Sequence, residues 1–397
     1  MPKNTIRLYL LLTMVRRLGA SFTFATYVMF LISRGLNLFE VNLVNFVFFT
    51  TLFLCEIPTG VVADVFGRKP SYVISCFLTS LAMFIYAVSG SVFGFAVAEA
   101  TAAIGMTFAS GAFQAWLVDG LKHKNYNEPL GPIFAKEQQY AHIAEILGAI
   151  VGAFLADKNP MFPWMVSGTI ALFVGFLAWG LMKEEYFVRQ RFSLRNGFQS
   201  MKEIAATSIR YIAKNKVVKF ILLLVGIQFF AIQAANMQWQ PFFSGFLPNK
   251  TALGFIFGAI SVSLIVASAL SSRFLKIMKD EKRALIVSQV GAGAGIIATV
   301  MFKWFPLALG IFLLHEFARG LFRPLKDTYL NDNIPSKERA TLISFESMAQ
   351  HIGGMFGLLF SGFFAEYASI KATWMLSGGI LIAATLWLAR NGKSKEK

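Results

Sequence analysis

The chain has 397 residues, of which 56% are hydrophobic and only 15% are charged, whereas about a quarter of the residues in an ordinary globular domain are charged. Apolar runs of about 20 residues, long enough to cross a bilayer as a helix, recur along the whole sequence and exclude a soluble protein. The net charge of +16 does not indicate a nucleic-acid partner, because the basic residues lie in short segments between the apolar runs, where membrane orientation explains them better.

Twelve membrane spans are predicted along the chain. Since backbone groups in lipid must be satisfied within each segment, the sequence indicates an all-α polytopic membrane protein with twelve transmembrane helices. The first apolar stretch is too long for a signal peptide, and no small-residue cleavage site follows it. In chain order the predicted spans are 6–33, 40–63, 71–89, 92–117, 136–156, 162–182, 217–242, 251–271, 284–302, 306–328, 339–366 and 372–390.

The distribution of lysine and arginine predicts the orientation. With both termini in the cytoplasm, 29 of the 37 basic residues lie in or beside inner loops and termini. The outer loops and their edges receive only Arg34, Lys158, Lys250, Lys303 and Lys371. We therefore expect a multi-pass protein of the cytoplasmic (inner) membrane with both termini inside.

The chain also contains an internal repeat. The segment 136–157, KEQQYAHIAEILGAIVGAFLAD, aligns with 345–366, FESMAQHIGGMFGLLFSGFFAE, at an offset of 209 residues. This offset relates two six-helix halves by an axis along the membrane normal, an arrangement typical of one large class of transporters. The predicted domains are 1–182, a cytoplasmic linker 183–216, and 217–397.

The linker allows two interpretations. Apolar residues at helical spacing between Met201 and Ile212 favour an amphipathic helix on the inner leaflet. A solvated linker is the alternative.

A charged turn separates the second and third spans. Its spacing, Gly60-x-x-x-Asp64-x-x-Gly67-Arg68-Lys69, resembles the signature of the major facilitator superfamily at the same loop. With the twelve predicted helices and the central loop, the resemblance covers essentially the whole chain. It implies that family's fold and transport by alternating access.

The same resemblance implies a conformational latch. In the family, the residues that match Asp64, Arg68 and Asp119 form a charge relay that holds the outward-open state against helix 11. In this sequence helix 11 begins near Ser336, which we expect to be its N-cap. We further expect Gly60 to allow close helix contact and Gly67 to permit a tight turn. Anchoring of the loop to lipid headgroups is the alternative function of these charges.

Ionisable residues within the spans are costly, and the default hypothesis for them is functional. Arg16 and Arg17 lie roughly 15 Å along the first helix at 1.5 Å per residue. Glu316 lies at a similar depth in the tenth predicted span, 306–328, with Arg319 three residues later. A Glu–Arg pair at this spacing can also neutralise itself, so a purely structural ion pair is the alternative.

Proton coupling requires a carboxyl group that gains and loses a proton within the membrane. Glu145 is the first candidate because His142 lies on the same helix face, and Glu99 is the second. Arg16 or Arg17 is the expected counter-ion. In the family, helices 1, 4, 7 and 10 line a central cavity, flanked by 2, 5, 8 and 11. The predicted substrate-cavity residues are Arg16, Arg17, Gln138, Gln228, Asn236, Gln240, Glu316, Arg319, Glu346 and Gln350.

Glycine pairs spaced by four residues favour close helix packing. They are Gly148 with Gly152, Gly291 with Gly295, and Gly353 with Gly357. Export antiporters of the family usually show a Gly-Pro pair in the helix-5 glycine motif. This sequence has the glycines without the proline, so the export signal is partial.

Other functional classes fit the sequence poorly. The Gly-Lys-Ser at 392–394 lacks the earlier glycine of a phosphate loop and follows a helix, which argues against an ATP-driven pump. The four histidines are scattered, and no metal-ligand or nucleophile–base spacing indicates an enzyme. The loops are too short for a receptor domain. We therefore predict no enzymatic activity, no metal and no cofactor.

The sequence favours a secondary active transporter that exports a small organic solute by proton antiport. The alternative is an uptake symporter or facilitator for a small organic solute or a metal chelate. The expected partners are the small-molecule substrate, protons and the lipid bilayer. We expect a monomer.

Overall fold

The computed structural model describes residues 2–184, 186–187, 215–334 and 339–391, and every regular element within these ranges is an α-helix. The first eight are α1 (Pro2–Ser21), α2 (Tyr27–Ser33), α3 (Leu38–Phe66), α4 (Arg68–Val88), α5 (Val92–Ala109), α6 (Ala112–His123), α7 (Gly131–Lys158) and α8 (Phe162–Leu181). The others are α9 (Lys216–Ser244), α10 (Thr251–Met278), α11 (Glu281–Thr299), α12 (Phe305–Asn333), α13 (Arg339–Tyr367) and α14 (Ile370–Asn391).

Ten helices in this part of the chain are long and apolar enough to cross a membrane, with α5 and α6 counted together. The predicted spans 6–33 and 284–302 are not among the ten. The first contains two arginines and is broken into α1 and α2, and the second, α11, contains three glycines, one serine and one glutamine.

The predicted first span is wrong in one respect, because it is not a continuous helix. Between α1 and α2 the amides of Phe24 and Thr26 bond the carbonyls three residues earlier, each at 3.1 Å, instead of four residues earlier. The Ser21 and Thr23 hydroxyls donate to the carbonyls of Leu18 and Ala20 at 2.9 and 3.2 Å. Since such side chains compete with the helical hydrogen bonds, this serine and threonine cluster accounts for the break.

The helices form two compact units. Unit 1 comprises Met1–Leu36, Val44–Gly197 and Leu247–Gly258, and unit 2 comprises Asn37–Leu43, Phe198–Phe246 and Ala259–Lys397. In unit 1, α4 packs mainly against α5 and α8, and α1 packs against α7. In unit 2, α11 packs against α12 and α14, and α9 packs against α13. The division of the chain at 183–216 stays a prediction.

Each unit has a buried tryptophan near the start of a helix, α8 in unit 1 and α14 in unit 2. In unit 1, Trp164 stacks on Tyr86 with ring centroids 4.2 Å apart. In unit 2, Trp374 stacks on Phe312 at 5.5 Å and donates its indole N–H to the Ala234 carbonyl. The two tryptophans belong to the similar segments WMVSG and WMLSG, so the internal repeat extends to the packing.

Two of the three glycine pairs pack closely at both positions, as predicted, and in the third only Gly295 does, with a Cβ position 3.0 Å from the His315 Cα. A Cβ at Gly152 would lie 1.9 Å from the carbonyl oxygen of Phe22, and one at Gly148 would lie 2.0 Å from the Ser21 hydroxyl. In unit 2, Cβ atoms at Gly353 and Gly357 would lie 2.2 and 2.3 Å from carbonyl oxygens of α9. The glycines therefore bring α7 onto the broken first helix and α13 onto α9.

A pair of acidic residues 209 positions apart caps helix N-termini. Asp157, at the end of α7, accepts hydrogen bonds from the amides of Lys250 and Thr251, where α10 begins, at 2.7 and 2.8 Å. Glu366, at the end of α13, accepts from the amide of Leu38, where α3 begins, at 3.0 Å. The offset between the two acids is that of the sequence repeat. A carboxylate at a helix N-terminus satisfies unpaired amides and favourably opposes the helix dipole.

Several predictions lie outside the described residues. They are the amphipathic helix of the linker within 188–214, the N-cap at Ser336, and the contacts of the Asp64 side chain.

Candidate functional site

The break in the first helix separates two polar clusters of unit 1. Arg17 lies one turn before the end of α1, and Tyr27 is the first residue of α2. Discontinuous helices with polar side chains at the break are typical of substrate and ion sites in transporters. The two sides of the break therefore define the candidate site of this unit.

The first cluster joins Arg17, Glu145 and His142. The Arg17 guanidinium donates to Glu145 Oε1 at 3.1 Å, and His142 Nδ1 lies 3.5 Å from Glu145 Oε2. The Arg17 side chain is 54% exposed and that of Glu145 is 20% exposed. Arg17 is thus the counter-ion of Glu145 that the sequence predicted. Gln138, two turns earlier on α7, is exposed.

Arg16, the neighbour of Arg17, points elsewhere in the same unit. Its guanidinium donates to the Ser75 hydroxyl at 3.4 Å and lies 5.4 Å from the centre of the Tyr72 ring. A cation over an aromatic face is stabilised by the ring's quadrupole. Arg16 is therefore fixed against α4, while Arg17 keeps a half-exposed head.

The second cluster surrounds Glu99, which is 7% exposed. The Tyr27 hydroxyl donates to Glu99 Oε1 at 2.7 Å, and Asn45 donates to the Tyr27 hydroxyl at 2.7 Å. The Tyr86 hydroxyl lies 3.3 Å from that of Tyr27 and so adjoins the same group. The expected arginine counter-ion is not found here: no cation in the described part of the chain pairs with Glu99. The Tyr27 hydroxyl holds the acid instead.

Unit 2 has its own intramembrane ion pair on α12. Arg319 Nε lies 3.2 Å from Glu316 Oε2, and Arg319 Nη1 donates to Asn236 Oδ1 of α9 at 2.8 Å. His315 Nδ1 donates to the Ala292 carbonyl at 2.7 Å. The predicted Glu316–Arg319 pair is therefore present, and Asn236 is its neighbour. Gln228 and Gln240 of α9 are buried.

A second charge cluster of unit 2 joins α12 to α13. Lys326, only 4% exposed, donates to Glu346 Oε1 and lies 2.7 Å from Asp327 Oδ1. Gln350 donates to the same Glu346 oxygen at 2.9 Å. Glu346 and Gln350 are thus brought together as expected, but around a buried lysine that the sequence did not single out.

The turn of the family signature contains an unexpected carboxylate. Glu184, just after α8, accepts from the amides of Arg68 and Lys69 at 2.6 and 2.9 Å and so caps α4. Gly67 has a φ of +106°, which confirms the predicted tight turn, and a Cβ there would lie 2.7 Å from Glu184 Oε2. No heavy atom of the described residues lies within 4 Å of where a Cβ on Gly60 would be, so the close helix contact expected there stays a prediction.

Charged residues of the predicted latch lie near Tyr186. The pKa of the Tyr186 hydroxyl is raised by burial and by the charges of Glu184 and Asp119, while Arg68 opposes the rise. Tyr186 donates to the carbonyl of Trp116 at 2.8 Å. Asp119, Arg68 and Glu184 therefore share one neighbourhood, although the relay through Asp64 stays a prediction.

Removal of the Glu184 cap should destabilise the signature turn. We expect Glu184→Ala to lower the free energy of unfolding by about 1 kcal/mol, because two amides at the N-terminus of α4 lose their acceptor. Thermal unfolding of the purified protein in detergent measures this. Glu128→Ala, at an exposed acid bonded only to Tyr126 within the described ranges, is the control and should change the unfolding temperature little. Equal effects of the two substitutions would contradict the capping role.

The corresponding turn of unit 2 lacks the glycine–aspartate signature and contains a carboxyl pair. Asp280 caps α11 by accepting from the amide of Arg283. Burial and hydrogen bonding to Asp332 raise the pKa of the neighbouring Glu281 to about 7. Glu281 precedes the predicted span 284–302, so this pair lies at a helix end.

The carboxyl pair predicts a pH dependence of stability. The pKa of Glu281 is higher in the folded protein than in the unfolded chain. Its contribution to the free energy of unfolding is therefore complete at pH values below the usual glutamate pKa, and it is lost as pH rises through about 7. We expect the wild-type unfolding temperature to fall between pH 5 and pH 8 (values roughly bracketing the two pKa values). Glu281→Gln should flatten this slope and stabilise the protein by about 1 kcal/mol at the upper end. Parallel slopes in the two proteins would exclude this role of Glu281.

The residues that sequence reasoning missed are mostly neutral partners of predicted charges. They are Tyr27, Asn45, Tyr86, Glu184 and Lys326. Tyrosine and asparagine carry no charge signal, and Lys326 lies near the inner end of its predicted span, where a basic residue is ordinary. The described residues contain no group of three His, Cys, Asp or Glu side chains that could hold a metal ion.

Comparison with known proteins decides the family. A sequence model described as the Major Facilitator Superfamily matches residues 9–278 and 246–397. The chain belongs to the major facilitator superfamily. It is therefore a secondary transporter and a multi-pass membrane protein, and its family is not a class of enzymes.

Individual relatives agree with this assignment. The chain is 25% identical over 368 residues to an uncharacterized MFS-type transporter, YxaM, of Bacillus subtilis (strain 168), covering 91% of this chain and 88% of the relative. It is 21% identical to Multidrug resistance protein 2 of the same organism, covering 80% of this chain and 78% of the relative. Among solved structures, the nucleoside transporter NupG matches with a TM-score of 0.82 at 13% identity, covering 99% of this chain and 100% of NupG. At that identity the structural match shows the fold alone.

Proposed function

We propose that this transporter couples the inward movement of protons to the export of a small organic solute, with Glu99 as the proton-carrying group. The observation that carries the proposal is the buried Glu99 carboxyl, held by the Tyr27 hydroxyl beside the broken first helix. An ionised carboxyl in such a place, without a cation, is costly, and a proton removes the cost. When the site opens to water, hydration lowers this cost and the proton can leave.

Glu145, the first candidate from the sequence, lies in a different environment. Its carboxylate contacts the Arg17 guanidinium at 3.1 Å and lies 3.5 Å from His142 Nδ1, so its ionised form has a cationic partner. Two acids whose surroundings favour opposite protonation states have different roles in one site. We therefore assign the proton to Glu99 and leave Glu145 with His142 as the alternative that the experiments below separate.

The direction of transport and the latch complete the proposal. Export is supported by the distant similarity to a multidrug resistance protein of Bacillus subtilis. The distribution of lysine and arginine supports cytoplasmic termini and, with them, the cytoplasmic membrane as the location. The signature turn of Gly60, Asp64, Gly67 and Arg68, with Asp119, holds the outward-open state, and Glu184 keeps its turn in shape. A monomer suffices for this mechanism.

Ligand screening followed by transport in proteoliposomes tests the proposed function. A solute that binds the folded protein raises its unfolding temperature by mass action and identifies a substrate candidate. Proteoliposomes with an imposed pH gradient should then accumulate that solute in the more acidic compartment, the one from which protons leave. Accumulation in the alkaline compartment would indicate symport. Equilibration without accumulation would indicate a facilitator, and either result overturns proton antiport.

A further inference from the structure

The half-exposed guanidinium of Arg17 is the most open cation of the candidate site in unit 1. Of its five N–H donors, one bonds Glu145 Oε1, and no other bond to a described residue uses the rest. Its side chain is 54% exposed even though it lies well within α1. A guanidinium at this position, with most donors unused, is arranged to receive an acceptor group.

The charges around Arg17 favour an anion over a cation. Arg16 is the next residue, so this turn of α1 contains two guanidinium groups. Against these, Glu145 is the only acid of the described residues that pairs with Arg17, and Glu99 is held by Tyr27. A solute with an ammonium group would meet more positive than negative charge. A carboxylate would find a planar fork of donors that matches its two oxygens.

The Glu145 carboxylate occupies the place on Arg17 that such an anion would take. Only one of its oxygens contacts Arg17, at 3.1 Å, while the other lies 3.5 Å from His142. If another carboxylate took Arg17, Glu145 would keep a partner in His142. The exchange therefore leaves neither acid without a donor, which lowers the cost of releasing Arg17.

We propose that Arg17 binds the anionic head of the solute and that Glu145 occupies this place when no solute is bound. The inference rests on the proposed transport function and names its substrate class, a small organic acid. Glu145 is then an internal competitor that sets solute affinity rather than the proton carrier. Its ion pair with Arg17 breaks when solute binds and forms again when solute leaves.

Chemical labelling of Arg17 with phenylglyoxal tests the proposal without a known substrate. Naphthoate, naphthamide and naphthylmethylammonium share one aromatic body and differ in the head group. The rate of Arg17 modification is measured by fragment-resolved mass spectrometry in detergent. We expect naphthoate to slow the modification of Arg17 and the two other probes to leave it unchanged. Equal protection by all three probes, or none by naphthoate, overturns the proposal.

The competitor role gives a second readout. In Glu145→Gln the internal anion is gone, so naphthoate should protect Arg17 at a concentration about two- to fivefold lower than in the wild type. Glu137→Gln, eight residues earlier on α7, is the matched control, since Glu137 accepts from Tyr9 instead. It should leave the naphthoate concentration unchanged. Weaker protection in Glu145→Gln would contradict a competitor and indicate that Glu145 itself supports binding.

The two proposals fail separately. If naphthoate does not protect Arg17 while a transported solute still moves protons in a Glu99-dependent way, the substrate class is wrong and the transport mechanism stands. If naphthoate protects Arg17 but no solute moves protons, anion binding stands and proton coupling is wrong.

Discussion

Gly152→Ala is expected to destabilise the protein by about 3 kcal/mol or more, which is the largest effect on folding that the structure predicts for a single methyl group. The new Cβ would lie 1.9 Å from the carbonyl oxygen of Phe22 and 2.6 Å from its Cα, and both are backbone atoms of the break after α1. A backbone cannot move aside as a flexible side chain can. Either α7 moves away from the broken helix, or the break changes its shape.

The control for this substitution is Gly379→Ala in the middle of α14. No heavy atom of the described residues lies within 4 Å of the Cβ position there. Alanine is the better helix former, so this variant should be as stable as the wild type or slightly more stable, by up to about 1 kcal/mol. Thermal unfolding in detergent compares the two. If Gly152→Ala unfolds at the temperature of Gly379→Ala, the close packing of α7 on the break is incorrect.

Glu99→Gln is expected to abolish accumulation of solute driven by a pH gradient, the largest functional effect that the site predicts. Glutamine has the shape of the protonated acid and can accept from the Tyr27 hydroxyl at the same place, so binding and folding should persist. It cannot release a proton. The variant should therefore retain solute exchange across proteoliposomes while accumulation falls to the level of liposomes without protein.

Two glutamate variants on α7 are the controls for Glu99→Gln. Glu137→Gln, at the acid bonded to Tyr9, should accumulate solute as the wild type does. Glu145→Gln should still accumulate solute, with changed affinity, because its ion pair with Arg17 belongs to solute binding. Loss of accumulation in Glu145→Gln, with normal accumulation in Glu99→Gln, would instead identify Glu145, the first candidate from the sequence, as the proton carrier.

Charged and glycine positions of this chain were predictable because their physical signals are local. The Gly67 turn, the Glu316–Arg319 pair and the close glycines of α7 and α13 follow from spacing alone. The repeat offset of 209 residues also aligns Asp157 with Glu366, and both residues cap helix N-termini. In each case the residue type alone indicates the kind of contact, which is close packing for a glycine and an ion pair or a helix cap for a charged residue.

Contacts between distant, neutral residues were not predictable. Tyr27 and Glu99 are 72 positions apart, and nothing in the sequence of either segment indicates a tyrosine hydroxyl as partner of the acid. The break at 22–26 contains no proline or glycine, and its hydroxyl side chains are too common in spans to mark it. Glu184 lies in the predicted linker, where a charged residue carries no structural signal, and it caps a helix that begins 116 residues earlier.

The most direct test of the proton-carrier role is the proton movement that solute evokes in proteoliposomes without an imposed gradient. A pH-sensitive dye inside the vesicles records it after addition of a transported solute. We predict a pH change with the wild type and with Glu145→Gln, and none with Glu99→Gln at equal solute exchange. A normal proton signal from Glu99→Gln would contradict the assignment of the proton to Glu99.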